Sequence, residues 1–156
     1  MKKIIISTLF SVVYVFCAAQ SESDIFGEWF NEEKDAVVTI YKDGNSISGK
    51  TTWLKEPLDS KGNAKLDLKN PDEKLRSRKR MGLKIMHSFK YNDQENIWED
   101  GRIYDPKKGK LYGGTATLVN ENELKLKGYI ISMPFLGRTA TWTRKTNKYS
   151  IILLQK

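Results

Sequence analysis

The chain has 156 residues, 27 Lys and Arg against 19 Asp and Glu, a formal net charge of +8, one histidine and one cysteine. This length suits one domain with its own core and does not call for a second. A single histidine excludes a multi-histidine zinc site, and the positive excess favours anionic partners or surfaces without naming one.

Lys2 and Lys3 precede a run from Ile4 to Cys17 in which only Ser7, Thr8 and Ser11 are polar. A charged start, a short apolar run and the small residues Ala18 and Ala19 have the layout of a secretory signal peptide over residues 1–19, cleaved before Gln20. The run falls short of the roughly 20 residues that span a bilayer, so no transmembrane anchor is expected. Phe16, in front of Cys17, argues against lipid attachment there, because lipoprotein processing wants a small residue at that place. Cleavage removes the only cysteine, and with it any internal disulfide or Cys-His pair. The remainder is expected in the periplasm or secreted.

From there the chain reads as short alternating segments divided by turn residues, the pattern of an antiparallel sheet or barrel. Eight strands are predicted, over 25–30, 36–42, 46–54, 83–91, 97–105, 110–119, 123–131 and 137–145. Asp43-Gly44-Asn45, Asn92 to Glu95, Pro106 to Gly109 and Asn120 to Asn122 supply the turns. Alternation places Leu83, Ile85, His87, Phe89 and Tyr91 on one face of the fourth strand, and Leu124, Leu126 and Ile130 opposite Lys125 and Lys127 in the seventh. With one face wet and one dry, the eight strands are expected to close into an all-β antiparallel barrel, which removes exposed edges. The segment 55–82 is too long for a hairpin and is expected to carry a helical turn: Asn70 is placed to cap it, Pro71 to open it, and Asp72 and Glu73 to meet the helix dipole. Such a loop either covers the barrel mouth as a lid or is a plain solvated connection.

The residues that carry chemistry are few. Trp53 and Trp142 fall on the predicted inner face, with His87, Arg102 and Arg138, and Tyr104 stands in the same strand as Arg102. Aromatics with a few polar groups line small-molecule pockets, and they also fill barrels that hold no ligand. Trp53, His87, Arg102, Tyr104, Arg138 and Trp142 are therefore the candidate ligand-binding residues. His87 has no nucleophile motif beside it, and Asp59, Asp72 and Asp105 stand in turn contexts, so no catalytic constellation, metal or cofactor is expected. Arg76, Arg78, Lys79 and Arg80 form a basic run fit for an anionic surface. Without an interleaved aromatic platform it does not read as a nucleic-acid site.

Two resemblances rest on these residues. Gly27-Glu28-Trp29, with Arg138 or Arg144 to cross the tryptophan, resembles the Gly-x-Trp closure of the lipocalins. Of the two arginines, Arg144 is assigned to Trp29 and Arg138 to the ligand end. Trp53 to Asp59, Lys69 to Asp72, Leu75 to Arg78, Gly101 to Pro106 and Gly137 to Trp142 together resemble a bacterial exported family catalogued as domain of unknown function twenty-one forty-seven. That resemblance implies a lipocalin-like barrel over residues 20–148, outside the cytoplasm, and brings no established activity. The tail 149–156 lies beyond the family pattern. The function expected is non-enzymatic binding of a small amphipathic or lipophilic acid in the barrel lumen, its acidic group near Arg102 or Arg138. The alternative is an envelope interaction module with a solid barrel, whose basic loop meets anionic glycolipid or a protein partner.

Overall fold

The computed structural model describes residues 20–146, so the segment 1–19 read as a signal peptide and the tail 149–156 lie outside the described residues. Eight strands follow chain order: β1 (Gly27–Phe30), β2 (Ala36–Asp43), β3 (Ser46–Leu54), β4 (Lys84–Asn92), β5 (Ile97–Asp105), β6 (Lys110–Asn120), β7 (Glu123–Ile130) and β8 (Met133–Arg144). Each pairs antiparallel with the next, and β8 returns to β1 through Trp29 opposite Arg144 and Phe30 opposite Thr143, closing the barrel. This is the architecture expected from the alternation.

Some details differ from expectation. β1 starts at Gly27 because Glu22–Ile25 form a 3-10 turn, held by the Asp24 carboxylate accepting from the Ser21 backbone N–H at 2.8 Å. β8 starts at Met133, which pairs with Ile130, so the last hairpin is longer than predicted. In the loop 55–82 the helical element is the 3-10 turn Glu73–Leu75, and its cap is Asp72, which accepts from the Lys74 N–H at 3.0 Å. Asn70 is not the cap: its side-chain oxygen accepts from Asp72 N–H one step earlier, and its amide is committed to Asp67 and Tyr104.

Bulges decide which side chains enter the barrel. Thr51 pairs with Val38, but Trp53 pairs with Val37, so Thr52 is an extra residue that reverses the phase of β3. In β4, Gly49 faces Met86 and Ile47 faces Phe89, three residues against two, with Ser88 at φ 58° inside the bulge. Directly paired residues share a face, and Met86 opposite Ile103 faces the interior. His87 opposite Arg102 therefore faces out.

The two ends of the barrel differ. At one end Ile25, Trp29, Ile40, Ile47, Phe89 and Trp98 are fully buried and fill the lumen. Phe89 lies across the interior because Gly101 stands beside it, where a Cβ would overlap its ring. At the other end, where the β1–β2, β3–β4, β5–β6 and β7–β8 connections gather, the lumen is open. No helix among the described residues is long and apolar enough to cross a membrane.

Candidate functional site

The open end holds a cavity of about 780 Å3. Its walls are apolar: Val38 of β2, Ile85 of β4, Ile103 of β5, Leu126 of β7, and Ala140 and Trp142 of β8. Each is placed by strand register. Leu126 pairs with Ala140 and Leu124 with Trp142, so the same face of the β7–β8 ladder carries all four inward. Ile85 enters because the bulge between the Gly49–Met86 and Lys50–Lys84 pairs lets it share the inner side with Met86.

Charged side chains ring the mouth. Lys65 pairs with Glu56 at 3.0 Å, Lys107 with Asp35 at 2.6 Å, and Arg138 with Glu32. Lys107 and Asn31 hold the Asp35 carboxyl below its usual range, against the opposing effect of its burial. Arg80 differs from these cations. Its Nε donates to the Leu66 carbonyl at 3.1 Å, while its two terminal nitrogens have no partner among the described residues. Arg80 thus adds to the lining of an apolar cavity a fork-shaped, always charged guanidinium with no carboxylate partner among the described residues.

The loop 55–82 is docked on the barrel through a buried carboxylate. Asp67, fully buried, accepts from Tyr104 Oη at 2.6 Å, from Asn70 Nδ2 at 2.8 Å and from Arg78 at 3.0 Å. Burial, reinforced by the hydrogen bond to Asp67 and its charge, pushes the Tyr104 phenol up to about 12. The β5–β6 turn packs on the same loop at Gly109 (φ 68°), where any Cβ would overlap the Lys69 carbonyl.

Against this geometry the predicted site residues separate. Trp142 lines the cavity, and Tyr104 borders it with its hydroxyl turned into the loop. Trp53 does not reach the cavity: the Thr52 bulge turns it to the outer surface, where it meets Phe30 edge-on with ring centroids 6.1 Å apart. His87 and Arg102 are also excluded, because the β4 bulge puts their pair on the outer face, and Arg102 donates to the Gly101 carbonyl at 3.0 Å. Burial, then the nearby Lys84, holds the His87 imidazole below its ordinary pKa. Arg138 reaches the mouth but is largely exposed and paired with Glu32, so it does not stand in the lumen as a free anchor. The basic run is dispersed: Arg76 bonds Glu73 and the Asn70 carbonyl, Arg78 bonds Asp67, Arg80 turns to the cavity, and Lys79 stays exposed. Alternation put Ile85 on the inner face, although it was not named as a ligand contact, and it missed Arg80, whose position in a loop leaves it without a periodic signal.

At the closed end, the guanidinium of Arg144 lies 4.1 Å from the centre of the Trp29 ring. It donates to the carbonyls of Phe26 and Asp24, both at 2.7 Å, and to that of Glu121, while Trp29 Nε1 donates to the Ile25 carbonyl at 2.8 Å.

An eight-stranded antiparallel barrel with one plugged end, an arginine across a Gly-x-Trp tryptophan and an open apolar lumen defines a lipocalin-like protein. The match in solved structures agrees: the structure titled "Protein HP1028 from the human pathogen Helicobacter pylori belongs to the lipocalin family" superposes with a TM-score of 0.60 at 21% identity, over 77% of this chain and 78% of that one. Residues 27–144 match the family model described as uncharacterized protein conserved in bacteria, DUF2147, and the chain belongs to that family. No curated protein matches the chain.

Proposed function

We propose that the protein is a non-enzymatic, extracytoplasmic binding protein that holds a small amphipathic acid in its lumen. The observation that carries this reading is Arg80, an unpaired guanidinium at the rim of an apolar cavity of about 780 Å3. That volume lies within the roughly 300–1,000 Å3 typical of small-molecule sites. An acid with an apolar body would place its carboxylate on the free edge of Arg80, where two parallel N–H···O bonds are available, and its body against Ile103, Leu126 and Trp142. Exposed Lys55, also at the rim and without an acidic partner among the described residues, adds to the positive field there. The chain's single histidine stands outside the cavity, which supports binding rather than turnover. Lys2, Lys3 and the apolar run to Cys17 support export.

Titration with a series of fatty acids, followed by tryptophan quenching, tests the reading. Saturable quenching is expected, with Trp142 the reporter. Arg80→Gln is expected to raise Kd about tenfold, a loss of about 1.4 kcal/mol, while Arg102→Gln leaves Kd unchanged. Absence of saturable quenching, or equal effects of the two substitutions, would sink the assignment.

A further inference from the structure

We propose that the tip of the β7–β8 hairpin docks the open end of the barrel on an anionic lipid bilayer. Ile130, Ile131, Met133, Phe135 and Leu136 stand within seven residues of one another, and each is between 41% and 79% exposed. Single exposed apolar side chains are ordinary on a protein surface, whereas a contiguous group marks an interaction site. The turn itself is Ile131-Ser132, between the paired Ile130 and Met133, and Phe135, the most exposed, stands beside it with Pro134 and Leu136 where β8 bulges between Met133 and Gly137.

Charge selects the occupant. From Lys125 to Arg144 the sequence holds not one carboxylate, and with Arg144 committed to Trp29 at the closed end and Arg138 paired with Glu32, the cations the arm itself offers are Lys125 and Lys127. Lys125 and Lys127 are exposed and pair in register with Thr141 and Thr139, so they flank the arm on its outer face. An apolar end behind which cations stand is suited to an interface where acyl chains lie beneath negative headgroups. A second copy of the chain fits less well. Joining two such arms tip to tip would bring their lysines together, and the acid that meets the arm, Glu32, is already taken by Arg138.

Position gives the contact a purpose. Ile130 and Leu136 line the same cavity as Arg80, so a tip seated among headgroups would face the lumen mouth toward the membrane. The docking surface goes beyond lumen binding and does not depend on it.

Sedimentation with vesicles tests it. The protein as recovered from the producing cell is mixed with vesicles of phosphatidylglycerol and phosphatidylcholine, or of phosphatidylcholine alone. Binding to the anionic vesicles is expected to fall about tenfold or more in the double variant Phe135→Ser, Leu136→Ser, as apolar contact with the acyl region is lost. It is also expected to weaken in Lys125→Gln, Lys127→Gln and in high salt. Any retained N-terminal apolar segment is common to all variants, so the difference between them reports the tip. The exposed tip lies outside the core, and an unchanged melting temperature is expected to show that the variants fold. Equal sedimentation of variant and unsubstituted protein would overturn the proposal. So would a concentration-dependent dimer that the tip variant dissociates, which would assign the tip to a second copy. Vesicle binding without fatty-acid quenching would uphold the tip and sink the lumen reading, and the reverse result would do the opposite.

Discussion

A guanidinium lying 4.1 Å over the Trp29 ring and donating to the carbonyls of Phe26, Asp24 and Glu121 joins the N-terminal turn, the β6–β7 turn and the last strand at one point. Burial lowers the pKa of this arginine, and the nearby Glu121 and Asp24 oppose the shift. The stacking contributes about 0.5–2 kcal/mol. The three charge-assisted hydrogen bonds add to it, because each carbonyl would otherwise lack that donor. Arg144→Ala is therefore expected to cost about 2–4 kcal/mol. Trp29→Ala, which empties the plugged end, is expected to cost about 3–5 kcal/mol. Arg138→Ala, which breaks only an exposed pair with Glu32, is expected to cost less than about 1 kcal/mol. Urea unfolding of the three variants checks the order. Arg138→Ala costing as much as Arg144→Ala would reassign the arginine that matters at the closed end.

At the scale of elements, the loop 55–82 is held as a unit by Asp67, and the phenol of Tyr104 is the barrel's contribution to that contact. The fold favours the protonated phenol, whose pKa rises from 10.0 to about 12. The sign follows: the stabilisation is complete below pH 10.0 and is lost as pH climbs through about 12. The unsubstituted protein is expected to lose stability across this window more steeply than Tyr104→Phe, which has no phenol to ionise. Parallel curves for the two proteins in alkaline urea titrations would show that the loop is held by other contacts. The bulges are the other decisive elements. Thr52 in β3 and Ser88 in β4 each shift a strand by one residue, and the side chains beyond them change face.

For the molecule as a whole, one end of the barrel is solid and the other is open, and the open end carries both the charged rim with Arg80 and the apolar hairpin tip. The proposed role requires export, and the support for it is the charged start at Lys2 and Lys3 followed by the apolar run to Cys17. Mass analysis of the recovered protein is expected to show a chain beginning at Gln20. An intact Met1, or a lipid on Cys17, would contradict the export route.

Composition and alternation by themselves determined the class of fold, the strand order and most of the boundaries, because both the two-residue period of a half-buried strand and the turn chemistry of Asp43-Gly44-Asn45 are local properties. Family motifs pointed to the Gly-x-Trp closure, and the position of Arg144 at the end of β8, directly opposite Trp29 in β1, follows once the barrel closes. The lumen lining was only partly legible. Trp142 follows from alternation, but His87, Arg102 and Trp53 change face at bulges, and a bulge forms where packing across the ladder demands it, a condition no single strand records. Arg80 was visible only as one charge in a basic run. Tertiary structure divided that run: Arg78 turned to a buried carboxylate, Arg76 to its own 3-10 turn, and Arg80 to the cavity, because docking the loop through Asp67 and Tyr104 fixes where each successive side chain points.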